Sequence, residues 1–386
     1  MSSVLFLHSS SDLYGSDRSL IRTVDAVSDM GHTACICLPY EGPLVEVLRK
    51  KGHRVYVFSL GVLRRKYFNP IGLFYIIGSF SLALFKLTRI VKSHNVKLIH
   101  SNTSTILIGG IISRLLKITH IWHVREILTS PIFLRKIIHR CLASMSDEIL
   151  AVSKSTLDHI LIDEPRVIDK SNVIYNGIET SKYYNGDGNS IRKDLGLNQN
   201  DLLIGMIARV NNWKGQDLFM KIAEKIINEF DNVYFLALGS PFQGMEYLLE
   251  EFREKADHLP KGKFFIHEFS ENVNDYLAAY DVFILPSTQP DPFPTSVLEA
   301  MATQKAIIVN GHGGSIEMIV NENSGFVIEP PNSVGNFEAA LRKFILSPGL
   351  RKDMGMHAYK KVNEQYSVEA YRNKIQEIFK KYLKCE

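Results

Sequence analysis

Four cysteines, at positions 35, 37, 141 and 385, are all that the sequence holds, and none stands in a C-x2-C pair or beside the histidine spacing of a zinc site. A disulfide scaffold and a zinc module are excluded. The thiols read as reduced and cytosolic, with Cys35 and Cys37, two apart in an expected strand, sharing one face as small buried hydrophobes. An excess of one charge is also missing. Lys and Arg number 45 against 41 Asp and Glu, a net charge of +4, which argues against wholesale nucleic-acid binding. There is no Asp-x-Asp pair of the kind that holds a divalent metal, no internal repeat and no low-complexity tract. The first residues carry no charged n-region, and Val4 to Leu7 is too short an apolar run for a signal peptide. It is expected to be a first strand.

What is present is the composition of an ordinary globular protein, 45% hydrophobic and 22% charged, long enough at 386 residues for two or three domains. Short apolar runs bounded by polar loops alternate with helical patterns. Strands are expected at Val4–Leu7, Ala34–Leu38, Arg54–Phe58, Val96–His100, Thr119–Val124 and Glu148–Val152. The alternation restarts at Leu202–Ala208, Val233–Leu238, Phe264–Ile266, Asp281–Leu285 and Ala306–Val309. Continuous apolar strands separated by helices predict parallel sheets, hence an α/β chain with two Rossmann-like domains. Tyr183 to Asn200, rich in Asn, Gly and Asp, reads as the linker, and three helical stretches follow Pro330.

One segment departs from this pattern. Arg64-Arg65-Lys66 precede an uncharged stretch from Tyr67 to Phe85, and Lys86, Arg89 and Lys92 follow it. Three readings compete, in this order: a buried helix of the first domain, a monotopic helix dipping into a leaflet, and a membrane span. Phe133 to Met145 is a second basic amphipathic helix, so residues 64–92 and 133–145 are candidate membrane-surface elements.

The chemistry concentrates between Pro286 and Glu317. Four prolines from Pro286 to Pro294 make a stiff loop, and Pro294 can enter the first turn of a helix running from about Thr295 to Thr303. The leading N–H groups, of Thr295, Ser296 and Val297, with the macrodipole behind them, form a place for a phosphate. Glu299 lies one turn on, where its carboxylate suits ribose hydroxyls, and Asp291 can face the same pocket from the loop. Arg209 and Lys214 follow a strand at the edge where open α/β sheets bind ligands, and could neutralise a diphosphate. Taken singly, Glu299 also fits a solvated helix face, and His123 a satisfied core histidine. Gly15 fits a simple helix start capped by Ser16 or Asp17.

Together these residues resemble the nucleotide-sugar site of glycosyltransferase family 4, in which a Glu-x7-Glu pair spans such a loop and helix. Here the pair is Asp291-x7-Glu299. The resemblance implies a GT-B fold, with domains at 1–180 for the acceptor and 181–366 for the nucleotide sugar, and a C-terminal helix, 367–386, packing back on the first. It implies retaining transfer from a UDP- or GDP-linked sugar, with no cofactor and no metal, to a saccharide acceptor. Asp291 would contact the transferred sugar, Glu299 the ribose, and Arg209 and Lys214 the diphosphate. Gly15, Gly239, His267, Glu268, Phe269, Phe293, Pro294, Thr295 and Ser296 would complete the donor site. His123 or Arg125, in two alternative registers after Trp122, would reach the acceptor or the sugar, and Glu317 resembles the family's acidic residue on its helix. With the basic segments, the implied acceptor is a lipid-linked saccharide of cell-surface polysaccharide synthesis, met by a cytoplasmic protein peripheral on the inner leaflet. A same-fold epimerase or phosphorylase, and a nucleotide-binding protein without turnover, are the competing readings.

Overall fold

A computed structural model describes residues 2–62 and 70–383, with the backbone alone at 70–77. They form two compact units, Met1–Gly177 with Val368–Glu386, and Ile178–Ser367.

The first unit opens with β1 (Ser3–Leu7), α1 (Gly15–Ser28), β2 (Thr33–Leu38), α2 (Pro43–Lys50) and β3 (Arg54–Val57). It continues through α3 (Pro70–Ser93), β4 (Val96–Ser101), α4 (Leu107–Leu116), β5 (Thr119–Val124), α5 (Ile132–Met145), β6 (Glu148–Ala151), α6 (Lys154–Asp163) and β7 (Ser171–Val173). All seven strands run parallel, in the order β3-β2-β1-β4-β5-β6-β7. The apolar runs are continuous because both faces of the sheet are covered. Val4 and Phe6 pack with Leu20 and Val24 of α1, whereas Leu5 and Leu7 pack with Leu87 of α3 and Ile108 of α4. Cys35 and Cys37 lie on this second face, where burial pushes both thiols up from their ordinary pKa. They behave as core hydrophobes.

α3 takes the place expected of a domain helix. Ala83, Leu87, Ile90 and Val91 are buried in the same core, and among the described residues no helix is long and apolar enough to cross a membrane. The Arg64-Arg65-Lys66 cluster lies outside the described residues.

The second unit runs α7 (Gly188–Asp194), β8 (Leu202–Ile207), α8 (Gln216–Ile227), β9 (Val233–Leu238), α9 (Tyr247–Ala256), β10 (Phe264–His267) and α10 (Val273–Ala279). Then come β11 (Val282–Leu285), α11 (Thr295–Ala302), β12 (Ala306–Asn310), α12 (Ser315–Met318), β13 (Phe326–Ile328), α13 (Val334–Leu346) and α14 (Pro348–Gln365). Its six strands are parallel in the order β10-β9-β8-β11-β12-β13. The expected linker is a correction, because 183–200 belongs to this unit and carries α7. Gly186 and Gly188 lie so close to the backbones of Asn274 and Ala279 that a Cβ would come within 2.1 and 2.5 Å. Arg192 of α7 donates to Ala279 O at 2.9 Å and to the Asp281 carboxylate at 3.1 Å. Polar, glycine-rich composition here serves close packing rather than flexibility.

The last helix, α15 (Val368–Tyr382), returns to the first unit. Tyr371, Ile375, Ile378 and Phe379 enter the core shared with β1, α1 and α2. Each such burial contributes about 2 kcal/mol.

Candidate active site

The C-terminal edge of the second sheet gathers the loops after β8, β9, β11 and β12, the edge at which parallel α/β sheets bind ligands. The loops lock onto one another through backbone groups. Thr288 N–H donates to Trp213 O at 2.7 Å, and Gly314 N–H to Asp291 O at 2.7 Å. Gly313 has φ +67°, and a Cβ there would lie 2.4 Å from Asp291 O, so only glycine lets the β12 loop close on the Asp291 loop.

Asp291 is thereby fixed, and its carboxylate accepts a charged hydrogen bond from Lys214 Nζ across 77 residues of chain. Their side chains are 7% and 15% exposed, so this ion pair is largely shielded from water. Lys214 Nζ also lies 4.4 Å from the centre of the Trp213 ring. The Arg209 guanidinium stacks on Phe242 at 3.6 Å. α11 begins after the proline loop as expected, but Pro294 stands at the cap position just before the helix rather than in its first turn, and there is no side-chain cap. Val297 N–H turns back to Pro294 O at 3.2 Å, leaving Thr295 and Ser296 as the helix's leading N–H groups. Phe293 is buried edge-on to Tyr366, and Glu299 Oε1 accepts from the Tyr183 hydroxyl at 3.2 Å. Tyr183 therefore comes from the segment misread as a linker.

The loops after β9 and β10 meet through Gly239 N–H donating to His267 O, and Phe269 N–H donating to Ser240 Oγ, both at 2.9 Å. His267 Nδ1 lies 3.0 Å from the Tyr276 hydroxyl, and burial lowers its pKa. Glu268 pairs with Arg253 in solvent at 2.8 Å, and the Phe269 ring is exposed. Glu317 gives its carbonyl to Lys361 and Tyr366. His312 was not singled out by sequence reasoning. Both ring nitrogens lack a partner among the described residues, and burial lowers its pKa against the opposing pull of the Asp291 charge. Its place between Gly311 and Gly313 was the available signal.

In the first unit, His123 and Arg125 share a face of β5, as strand alternation requires. His123 is fully buried, its ring edge-on to His100 at 5.6 Å, while Arg125 closes the strand's C-terminal end. Arg125 donates to Asn102 Oδ1 and Asn176 Oδ1, each at 2.7 Å, and to His123 Nδ1 and the Tyr371 hydroxyl, each at 3.3 Å. Guanidinium has no acceptor, so these contacts fix their partners. Asn102 must turn its Oδ1 to Arg125 and its amide N–H to His8 Nδ1 at 3.0 Å, which leaves His8 Nε2 to meet Asp17 at 2.6 Å. His123 likewise accepts at Nδ1 and is neutral, and burial drives its pKa well below the ordinary value. Gly15 is the first residue of α1, and Asp17 takes Tyr14 N–H at 2.8 Å, so Asp17 rather than Ser16 supplies the cap. Glu126 binds Thr103 and Ser104. Tyr371, which sequence reasoning missed, lies 246 residues from Arg125.

Two Rossmann-like units of this kind in succession define the GT-B fold. HepE of Anabaena, solved in complex with UDP and glucose, superposes with a TM-score of 0.84 at 20% identity, covering 98% of this chain and 99% of that one. Residues 43–182 match the family model for glycosyltransferase family 4, and residues 187–361 that for glycosyl transferases group 1. The chain belongs to this glycosyltransferase family. The alpha-maltose-1-phosphate synthase of Mycolicibacterium smegmatis is 24% identical over 258 residues, 63% of this chain and 65% of that protein. The N-acetyl-alpha-D-glucosaminyl L-malate synthase of Bacillus anthracis is 26% identical over 239 residues, 61% and 59% of the respective lengths. The chain thus covers less than two thirds of these relatives. An Escherichia coli UDP-Gal:alpha-D-GlcNAc-diphosphoundecaprenol alpha-1,3-galactosyltransferase is 24% identical over 77% of this chain and 78% of its own.

Proposed function

We propose that the protein moves a sugar, with retention and without a metal, from a UDP- or GDP-linked donor to a hydroxyl of a lipid-linked saccharide in cell-surface polysaccharide synthesis. The observation that carries the reading is the convergence of Lys214, Asp291, the uncapped start of α11 and Glu299 on one sheet edge.

Each part then has a task. The leading N–H groups of α11, with Arg209 and Lys214, hold the diphosphate and stabilise the charge that develops as it departs. Glu299, already accepting from one hydroxyl, takes the ribose hydroxyls. Asp291 turns to the sugar hydroxyls once Lys214 exchanges it for phosphate. The bond between the anomeric carbon and the phosphate oxygen breaks, and its electron pair leaves with the diphosphate. The acceptor oxygen forms the new bond on the same face and passes its proton to the departing phosphate oxygen. Arg125 orients the acceptor or sugar, with His123 behind it. The E. coli relative's diphosphoundecaprenol acceptor supports a lipid-linked substrate, and the UDP in HepE supports a nucleotide-linked donor.

The test is thermal stabilisation by UDP, GDP and their sugars without added metal, for the wild type, Glu299→Ala and Arg209→Ala. A ligand at 100 times its Kd adds about 2.7 kcal/mol. The reading stands if one base stabilises the wild type and both variants lose the effect, and falls if no nucleotide binds.

A further inference from the structure

The near-neutral total conceals an extreme asymmetry. Between Glu46 and Asp147 the sequence holds seventeen Lys and Arg and a single carboxylate, Glu126. That carboxylate is turned onto Thr103 and Ser104. α3, α4 and α5, which contain no Asp or Glu, neighbour one another over one side of the first unit's sheet. Their outward residues are of two kinds. Phe85 of α3 and Phe133 of α5 are 68% and 62% exposed, and Leu82 of α3, Leu115 of α4 and Ile137 of α5 are exposed as well. Lys86, Arg89, Lys92, Lys117 and Lys136 are also exposed and form no ion pair among the described residues.

We infer that this side is the docking surface for an anionic lipid bilayer, entered by Phe85 and Phe133 and held by the lysines and arginine around them. The inference deepens the proposed function by naming the surface on which a lipid-linked acceptor is met. Charge decides the occupant. A second copy of the chain would set the same basic helices against each other, with Asp147 and Glu164 beside them already facing Arg114 and Arg140, and a nucleic acid would neutralise the cations but leave the apolar side chains in water. A bilayer interface takes both, with basic side chains at the headgroups and apolar ones at the acyl boundary.

The experiment is flotation of the whole protein with phosphatidylcholine vesicles, with and without phosphatidylglycerol, at about 0.15 M salt, where charges are screened over about 8 Å. Flotation is expected only with the anionic lipid. Each basic residue near such a surface is worth about fivefold in partition, so Lys86→Gln/Arg89→Gln/Lys92→Gln should bind about 100-fold more weakly. Phe85→Ser/Phe133→Ser should lose the salt-resistant part of binding. These side chains are exposed, so the variants should fold, which nucleotide-induced stabilisation of the same preparations would verify. The inference is overturned if the wild type does not float, floats equally with neutral lipid, or is matched by the variants. A dimer abolished by Phe85→Ser without flotation also overturns it. If nucleotide binding persists while flotation fails, only the docking surface falls. If flotation holds and no nucleotide binds, the proposed function falls alone.

Discussion

Asp291 and Lys214 neutralise each other in the ligand-free chain, so a diphosphate must compete with Asp291 for the same ammonium group. Asp291→Asn keeps the shape of the side chain and removes its charge. In the free protein Lys214 is then left 15% exposed with a neutral acceptor, beside the Trp213 ring. Losing one partner of a buried pair costs about 3–5 kcal/mol, and the retained neutral bond and partial exposure reduce that here to about 2 kcal/mol. For a unit of this size the melting temperature should fall by about 4–8 °C. When a nucleoside diphosphate is bound, phosphate takes Lys214 and most of the loss disappears. The thermodynamic cycle therefore requires tighter binding, and 1.4 kcal/mol of recovered stability is about tenfold in Kd. Titration calorimetry with UDP and GDP, beside denaturant unfolding with and without nucleotide, measures both limbs. Sugar transfer should fall, because the carboxylate that receives the sugar is gone. Weaker nucleotide binding together with a stability loss that nucleotide does not repair would refute the exchange of partners.

Three further perturbations read other parts of the architecture. Gly313→Ala forces a Cβ to 2.4 Å from Asp291 O at φ +67°, and calorimetry should show the second unit destabilised by about 1–3 kcal/mol. Tyr371→Phe removes the hydroxyl that meets Arg125 and Thr23 and should cost about 1–3 kcal/mol in urea unfolding of the first unit, with nucleotide binding unchanged. His100, His120 and His123 are held neutral chiefly by burial, that of His120 with a pKa lowered to about 4. Their folded pKa values lie below those of the unfolded chain, so their contribution is complete above about pH 6.5 and is lost as pH falls, by about 3 kcal/mol for His120 between pH 6.5 and 4. Urea midpoints at pH 7.5, 6 and 5 should fall for the first unit, and His120→Asn should flatten that fall.

The parallel sheets were legible because strands covered on both faces are written as unbroken apolar runs, as Val4 to Leu7 and Ile204 to Ile207 show. The start of α11 was legible because proline and local periodicity act within a few residues. What could not be read is long-range. Nothing near Asp291 names Lys214, and nothing near Arg125 names Tyr371. Alternation placed His123 and Arg125 on one face, but burial of His123 follows from β5 lying between β4 and β6, which is topology. Residues 183–200 were misread because glycine marks close backbone approach as readily as a flexible joint.

The position of α15 has a consequence for how the chain is made. The sheet that leaves the ribosome first receives its last covering helix from residues synthesised about two hundred positions later, after every strand of the second unit. The first unit must wait through that interval with part of its apolar face uncovered, while the second can close as soon as it emerges. Premature termination before Val368 should therefore injure the beginning of the protein rather than its end, leaving a nascent product that captures a hydrophobic dye or a chaperone through the side vacated by Ile375 and Phe379. Dye binding to a chain stopped at Ser367, no higher than that of the whole protein, would contradict this order of assembly.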